Sequence, residues 1–372
     1  MPKPKIVIVG AGPAGSACAL AVARRGDAEV VLLDKSSYPR VKVCGSGLSP
    51  LSLAVLDHLE IRERFAPKAL AMSKMLARGP GGQDVFLSGS KGAWVVPRIE
   101  FDNQLALAAS EAGARFEQET KVIDLLRGAD GEVRGVKTSD REIEADLVIC
   151  ANGSPSRFSL DETPPTGIRT IMGWWQDCRH PADQGTMIWD RRLDGYYIWA
   201  FPEPGGVTNI GLTIPEGSPE TKALKALFEE LLQQHFGDAL RGAEQVGKWM
   251  GHPAVVTTKI SDMVAEGRLM FIGEAARLVS PGTVEGISFA LESGVLAANA
   301  IGGHFTREGG LSRVGRGLYR TRLRARMLPK FWAGHGFVQL MRSERARSLT
   351  SRVLNPQWLA SRASTLLGEQ PH

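Results

Sequence analysis

The chain has 372 residues, of which 43% are hydrophobic and 23% charged, and its net charge is +5. These values suit a globular protein of two domains, or one domain with a large insertion, and they exclude an intrinsically disordered chain. The four cysteines (Cys18, Cys44, Cys150 and Cys178) lack CxxC spacing and predict neither a disulfide framework nor a zinc site. The sequence also shows no signal peptide and no apolar run of about 18 residues, so a soluble, cytoplasmic protein is expected.

The first thirty-odd residues predict a nucleotide-binding unit. An apolar, β-branched run from Lys5 to Val9 predicts a buried strand, and small residues at helical spacing follow it. A second apolar run, Val30 to Leu33, ends in the acid Asp34. Between the first strand and the helix stand three glycines in GxGxxG spacing: Gly10, Gly12 and Gly15. This strand–turn–helix–strand order predicts a site for an adenine dinucleotide.

Each glycine of this unit has a separate physical role. Gly10 permits a tight turn, Gly12 lets backbone N–H groups approach a pyrophosphate, and Gly15 lets the helix pack closely on the strand. The helix N-terminus offers unpaired N–H groups to the phosphates. Asp34 is expected to accept hydrogen bonds from ribose hydroxyls, and an acid there argues against a 2′-phosphate.

The middle of the chain alternates predicted strands with one helix. The stretch 61–92 predicts strands of an inserted sheet, and Asp102 is placed to cap a helix that runs to Ala114. The stretch 116–123 predicts another strand, and a buried parallel strand ends at Gly153. His252, which precedes Pro253, is expected to be structural.

An aromatic segment follows. In the run YYIWAFP, Tyr197, Trp199 and Phe201 alternate with other residues, so they are expected to share one face of a strand. That face is either core packing or the wall of an apolar pocket.

The C-terminal segment 311–352 is strongly basic. It contains eleven Lys or Arg against one acid, a charge of +10 that leaves −5 for the rest of the chain. An apolar stripe at helical spacing accompanies the charge: Leu311, Val314, Leu318, Ala325 and Leu328. A solvated helix face is one interpretation and attraction to anionic lipid headgroups the other; nucleic acid is disfavoured because no reader motif accompanies the charge.

Several motifs in this order resemble the geranylgeranyl reductase family of flavoproteins, which has the p-hydroxybenzoate hydroxylase fold. The matching patterns are PRxKxCG at 39–45, ADxVIxAxGxxS at 145–156, YxWxFP-x8-GxG at 197–213 and GDAA…PxxGxGI at 273–287. Departures from these patterns include Asn152 for Asp, Thr213 for Gly and Glu274 for Asp.

The resemblance implies an α/β protein with a Rossmann-like FAD-binding domain, an inserted β-rich substrate domain and a helical C-terminus. The FAD-binding domain is expected in three pieces, 1–70, 98–165 and 255–305. The substrate domain is expected at 71–97 and 166–254, and the C-terminal helical region at 306–372.

The resemblance also implies a set of site residues. Expected near FAD are Gly10, Gly12, Pro13, Ala14, Gly15, Asp34, Lys35, Arg40, Cys44, Gly45, Gly47, Arg98, Val122, Gly153, Gly273, Glu274, Gly282, Gly286 and Ile287. Cys44 is expected beside the reactive edge of the flavin, with Tyr197 and Trp199 lining a substrate pocket, and these three are the catalytic candidates. No metal site is expected.

The activity implied is reduction of C=C bonds in an isoprenoid or other apolar substrate by hydride from reduced flavin. The electron donor would be external, either NAD(P)H or reduced ferredoxin or flavin, because no second nucleotide motif is present. Alternatives are a flavin monooxygenase, a halogenase-like enzyme, and a non-catalytic protein that binds FAD and lipid. The expected location is cytoplasmic, with peripheral contact to the inner membrane through the basic segment as the further option.

Overall fold

A computed structural model describes residues 3–87, 92–154, 158, 166–306 and 308–343. In these ranges the helices are α1 (Pro13–Arg25), α2 (Pro50–His58), α3 (Arg98–Glu111), α4 (Leu224–Leu240), α5 (Ile287–His304) and α6 (Arg313–Arg342). The strands are β1 (Lys5–Val9), β2 (Glu29–Leu33), β3 (Gly47–Leu48), β4 (Leu70–Met72), β5 (Lys74–Arg78), β6 (Asp84–Leu87), β7 (Ala93–Val95), β8 (Arg115–Glu117), β9 (Val122–Arg127), β10 (Val133–Thr138), β11 (Glu142–Glu144), β12 (Leu147–Cys150), β13 (Thr166–Gln176), β14 (Gln184–Ile188), β15 (Ile198–Glu203), β16 (Val207–Pro215), β17 (Glu244–Val256), β18 (Ala265–Glu266) and β19 (Leu269–Phe271).

The first sheet is the nucleotide-binding layer. Its strand order is β18-β19-β12-β1-β2-β8, and all neighbouring pairs are parallel except β18 and β19. Central strands of a parallel sheet are covered on both faces, which is why β1 and β2 are apolar throughout their buried length. The predicted bounds of β1 are confirmed, and the carboxyl ends of β1 and β2 present the GxGxxG turn and Asp34 on one edge. This arrangement confirms the Rossmann-like fold.

Small residues hold the helices of this layer close together. A Cβ added at Gly294 of α5 would lie 2.4 Å from the carbonyl oxygen of Ala14 in α1. The two helices therefore meet almost backbone to backbone behind the phosphate-binding turn.

The second large sheet has seven strands in the order β17-β13-β16-β15-β14-β5-β6. Its pairs are antiparallel except for β14 with β5. Helix α4 covers one face with buried apolar side chains, among them Phe228 and Leu231. The other face carries a separate cluster that contains Met172, Trp189 and Trp199. The sheet is thus assembled from two separate stretches of chain, before and after the segment that forms α3 to β12.

Two local predictions were wrong. Helix α3 begins at Arg98, with Pro97 as its N-cap residue, so Asp102 lies one turn inside the helix instead of capping it. Asp102 is held there by ion pairs with arginines, which the capping rules do not consider. The strand predicted over 116–123 is divided between β8 and β9, which belong to different sheets.

The apolar stripe noted in the C-terminal segment is not the main buried face of its helix. Helix α6 buries a different set on its inner side: Gly315, Tyr319, Leu323, Met327, Phe331 and Val338. Leu311 is buried, but Val314 and Leu318 are 63% and 37% exposed. The helix therefore has two apolar faces, and the larger side chains of the inner one pack on the core. Of the basic residues counted in this segment, Arg345, Arg347 and Arg352 lie outside the described residues.

No helix in the described ranges is both long enough and apolar enough to cross a membrane.

Candidate functional site

A cavity of about 1110 Å³ lies between the carboxyl edge of the first sheet and the inner face of the second. That volume exceeds the ~300–1,000 Å³ usual for a small-molecule site. It is lined by the three catalytic candidates, Cys44, Tyr197 and Trp199. Most of the predicted cofactor residues line it as well: Gly10, Gly12, Pro13, Ala14, Asp34, Lys35, Arg40, Gly45, Gly47, Arg98, Val122, Gly153, Glu274, Gly286 and Ile287. Gly15, Gly273 and Gly282 are not among the lining residues.

The three glycines of the first turn differ in what surrounds them. Gly10 has φ +105°, and a Cβ there would lie 2.5 Å from the carbonyl oxygen of Ala151. At Gly15 a Cβ would lie 1.9 Å from the carbonyl oxygen of Gly10, so this residue serves packing, as its spacing predicted. Gly12 has no protein atom closer than 3.8 Å to the same position. The open side of the turn is therefore at Gly12, at the N-terminus of α1.

Asp34 is buried at the end of β2 and already has protein partners. Its Oδ2 accepts hydrogen bonds from the Ala11 N–H at 2.9 Å and from the Tyr38 hydroxyl at 3.1 Å, and Oδ1 accepts from the Ser36 N–H at 2.9 Å. These bonds fix the carboxylate at the cavity edge. Binding of ribose by Asp34 remains a prediction.

Two arginines share one buried carboxylate beside this turn. Arg98 donates from Nε and from an η nitrogen to Asp102, both at 2.7 Å, and Arg40 lies 3.0 Å from the same carboxylate. Burial opposes the charge on Arg98, but Asp102 holds its pKa above the ordinary value. Two cations on one anion leave a net positive charge. The Arg40 guanidinium lies 3.8 Å from the position of a Cβ on Gly12, so this charge faces the open side of the turn.

Lys42 and His252 form a polar contact that the sequence did not predict. Lys42 Nζ donates to His252 Nε2 at 2.6 Å, and both side chains line the cavity. His252 does lie in the sheet, bonded through its backbone to Thr170, but its ring faces the cavity. Burial, with the charges of Lys42 and Arg98, lowers the pKa of His252 to about 4. Residues 210 positions apart give no sequence signal for such a pair, although Lys42 itself stands inside the PRxKxCG pattern.

Glu274 belongs to the same polar group. Burial raises its pKa, and the nearby charges of Lys42 and Arg98 act in the opposite direction. Burial also lowers the pKa of Lys42, against the effect of Glu274. The cavity thus carries a cluster of mixed charge at the end of the first sheet.

The opposite wall is aromatic. Tyr197, Trp199 and Phe201 all line the cavity, with ring centroids 6.2 Å and 6.4 Å apart along the series. Ile198 and Ala200 belong to the core on the other side of the sheet, so the predicted sharing of one face is confirmed. Trp199 is 4% exposed and donates from Nε1 to Asn209 Oδ1 at 2.7 Å. The aromatic face is therefore both well packed and part of the cavity wall.

The loop before α5 closes the cavity on a third side. The Tyr197 hydroxyl donates to the carbonyl oxygen of Thr283. Gly282 faces away from the cavity, because its Cβ position lies 2.7 Å from Cα of Gly334 in α6. At the fourth position of the PxxGxGI pattern stands Val284, with φ +53°. Glu285, which follows it, lines the cavity and was not predicted as a site residue.

These surroundings fit FAD. The open turn at Gly12 with the N–H groups of α1 and the charge of Arg40 suits a pyrophosphate. Gly45, which has no side chain, lines the cavity beside Trp199 and Phe201 and lets a planar ring approach the backbone.

Comparison with known proteins gives the same cofactor. A family model described as an FAD binding domain matches residues 3–312. A digeranylgeranylglycerophospholipid reductase of Methanothrix thermoacetophila is 30% identical over 80% of this chain and 77% of its own length. A menaquinone reductase of Mycolicibacterium smegmatis is 32% identical over 79% of this chain and 75% of its own length.

Solved structures share the fold at lower sequence identity. A geranylgeranyl bacteriochlorophyll reductase-like protein from Thermoplasma acidophilum has a TM-score of 0.80 at 21% identity, covering 100% of this chain and 92% of that protein. A flavin-dependent brominase has a TM-score of 0.76 at 19% identity, covering 98% and 93% of the two chains. At these identities the similarity concerns the fold alone.

Proposed function

Because the chain belongs to the FAD-dependent oxidoreductase family that contains the geranylgeranyl and menaquinone reductases, we propose that it reduces C=C bonds of an isoprenoid or similarly apolar substrate. The observation that carries this proposal is the continuity of the cavity. One space is lined by the cofactor cradle on one side and by Tyr197, Trp199 and Phe201 on the other. An apolar chain lying on the aromatic wall would therefore reach the cofactor without crossing water.

Bound FAD, once reduced, supplies the hydride for such a reaction. The side chains of this protein provide binding and orientation. Gly12 and Arg40 would hold the phosphates, and Arg98 with Cys44 would border the ring system. Tyr197 and Trp199 would orient the substrate and exclude water, which keeps the hydride from being lost to solvent.

Each predicted domain would bind one of the two ligands, FAD or the substrate. The pieces 1–70, 98–165 and 255–305 would hold FAD, and 71–97 with 166–254 would hold the substrate. The electrons would come from NAD(P)H or from reduced ferredoxin or flavin that binds transiently.

The direct test is an anaerobic single turnover. The FAD-loaded protein is reduced with dithionite and mixed with geranylgeranyl lipids or with a prenylated quinone, and the products are analysed by mass spectrometry. Addition of two hydrogen atoms to the isoprenoid chain, distinguished by fragment masses from reduction of a quinone ring, is expected together with reoxidation of the flavin. No reduced product from either substrate would overturn the proposal, and a gain of one oxygen atom when the experiment is repeated in the presence of oxygen would favour a hydroxylase instead.

The outer face of α6 supports contact with an anionic membrane surface, where such substrates reside. Val314, Leu318 and Ala325 are exposed at spacings of four and seven, and Trp332 continues the line with 58% of its surface exposed. Arg313 and Arg322 are also exposed and, among the described residues, form no ion pair or side-chain hydrogen bond. An apolar stripe with unpaired arginines is the pattern of an interfacial helix.

A further inference from the structure

We infer that Glu285 is the acid that supplies the proton for the reduction. This inference rests on the proposed function, because saturating a C=C bond needs one hydride and one proton. Glu285 lines the cavity at the start of α5, beside Gly286 and near Tyr197. Its carboxyl group is held by Ser49, whose hydroxyl donates to Oε1 at 2.5 Å.

Glu285, a half-buried residue of the cavity wall, differs in its neighbours from Glu292 and Glu274. Within the described ranges no Lys, Arg or His nitrogen lies within the 4.0 Å of an ion pair with it, whereas buried Glu292 has Arg326 at 3.0 Å. Glu274, the other cavity glutamate, lies in the field of Lys42 and Arg98. Removal from water without a paired cation disfavours the ionised form of a carboxyl group.

The charges around Glu285 agree with a neutral carboxyl. Burial raises its pKa, and the opposing effects of the Ser49 hydrogen bond and of the charge on Lys330 in α6 are smaller. Burial raises the pKa of the neighbouring Tyr197, and the proximity of Glu285 and Cys44 raises it further, so its hydroxyl is neutral. A neutral carboxylic acid is a proper proton donor at neutral pH, as in other enzymes that raise the pKa of a glutamate by burial.

The backbone at this point is under strain. Val284 is β-branched and has φ +53°, a region that such residues rarely occupy. It is held there by two backbone bonds of 2.9 Å, from Val284 N to Ser280 O and from Ser280 N to Glu285 O. Strained residues that are fixed by their surroundings cluster at functional sites. Here the fixed backbone conformation of Val284 determines the direction in which the Glu285 side chain projects from the loop.

The step balances with the reductant of the proposed function. The O–H bond of Glu285 breaks, and its proton forms a C–H bond at one alkene carbon as the π bond opens. The positive charge that develops on the other carbon would be stabilised by the faces of Tyr197 and Trp199, and FAD, when bound and reduced, would supply the hydride that neutralises it. The carboxylate of Glu285 is then reprotonated from solvent.

The test compares Glu285→Gln with Glu292→Gln, a matched change at a buried glutamate outside the cavity. In the anaerobic single turnover, E285Q is expected to bind FAD and substrate but to transfer hydride at least ~10²-fold more slowly, the usual contribution of a general acid. E292Q is expected to react at nearly the wild-type rate. Infrared difference spectra should show a weaker carbonyl band of protonated carboxylic acid in E285Q than in the wild type and E292Q; Glu203, whose pKa burial raises to about 7, contributes to the remaining band.

The outcomes separate the two claims. If wild-type protein gives no reduced product, the proposed function fails and the role of Glu285 fails with it. If the wild type reacts and E285Q matches its rate, or shows a carboxylic acid band of undiminished intensity, only the inference about Glu285 is overturned. Thermal melting and FAD absorbance of each variant establish that any loss of rate is not a loss of fold or cofactor, and Glu285→Asp should restore part of the rate.

Discussion

Gly12 is the residue of the first turn whose side chain position is open. Its φ of −73° suits any residue, and a Cβ there meets only an Arg40 nitrogen at 3.8 Å. At Gly10 and Gly15, by contrast, a Cβ would collide with backbone. A side chain at position 12 therefore occupies the space of the cofactor and leaves the protein fold intact.

We accordingly predict that Gly12→Leu abolishes FAD binding while the apoprotein melts within a few degrees of wild-type apoprotein. Absorbance of the purified protein measures bound flavin, and circular dichroism measures the melt. Gly15→Ala is the contrasting control and should lower the melting temperature of the apoprotein, because the helix must move away from the strand. Full FAD occupancy in Gly12→Leu would falsify the placement of the pyrophosphate.

His252 gives a prediction about pH. In the folded protein its pKa is about 4, against 6.5 for the free side chain. Between these values the unfolded chain binds the proton and the folded chain does not, so acid favours unfolding over that window. Stability should therefore fall as pH drops from 6.5 towards 4. In His252→Gln, which keeps an acceptor for Lys42, urea unfolding should depend less on pH over the same window, and an identical dependence in both proteins would contradict the assignment.

Trp199 combines packing with a buried hydrogen bond. Trp199→Phe leaves the Asn209 carbonyl without its donor in a fully buried position. We predict a loss of about 1–3 kcal/mol in the free energy of unfolding, the usual effect of an unsatisfied buried acceptor. The double variant Trp199→Phe/Asn209→Leu removes both partners and should recover much of that loss. A double variant less stable than the single one would show that packing, and not the hydrogen bond, dominates.

At the scale of the element, helix α6 shows why its inner face could not be identified from sequence. Both faces carry apolar residues at helical spacing, so periodicity alone gives two solutions. Contacts with distant parts of the chain decide which face is buried. The Tyr319 hydroxyl donates to the carbonyl oxygen of Phe271, and Phe331 makes an edge-to-face contact with Phe289. The larger side chains on this side bury more surface and determine the orientation.

The arginines of α6 likewise fall into two groups, those bonded to the protein and those exposed on the outer face. Arg320 and Arg324 are bonded to Asp262 and hold the helix to the protein, so they are poor probes of membrane contact. Arg313 and Arg322 are the better probes, together with Trp332. We predict that Arg313→Gln/Arg322→Gln reduces sedimentation with anionic liposomes at low salt, since each basic residue near such a surface contributes about 1 kcal/mol.

The control for that measurement is Lys222→Gln/Lys225→Gln, an equal change of charge at exposed positions before and within α4. It should leave liposome binding unchanged. Trp332→Gln should weaken the binding that persists at high salt, because its contribution is apolar. If wild-type protein does not sediment with liposomes at all, the outer face of α6 is a solvated surface.

At the scale of the whole molecule, the sequence could predict what is local and could not predict what joins distant segments. The strand, the glycines and Asp34 follow one another within thirty residues, and their geometry is dictated by that short unit. The aromatic strand was likewise predictable from its period of two. Residues that the sequence keeps far apart meet in the Lys42–His252 bond, the Arg40–Asp102 ion pair and the approach of Glu285 to Ser49.

The two large sheets share the cavity, which leads to a prediction about cooperativity. FAD present at a hundred times its Kd should stabilise the folded state by about 2.7 kcal/mol. Since Thr170, Trp199 and the Gly10 turn line the same cavity, one thermal transition should shift as a whole. Calorimetry that shows two transitions, with only one moved by FAD, would indicate that the sheets unfold independently.

Gly282 and Gly334 lie in close backbone contact, so a movement of helix α6 would also move the loop that lines the candidate site. At this crossing a Cβ on either residue would come within 2.8 Å of the other backbone, so the helix and the loop have no side chain between them to absorb movement. The same loop holds Thr283, which accepts the hydrogen bond of Tyr197, and leads directly to Val284 and Glu285. A tilt of α6, such as a Gly334→Ala wedge would cause, is expected to displace this loop, and the turnover rate of that variant measures the effect. A change on the outer surface of α6 would then shift residues that line the cavity, and it would be observed as a change in the turnover rate.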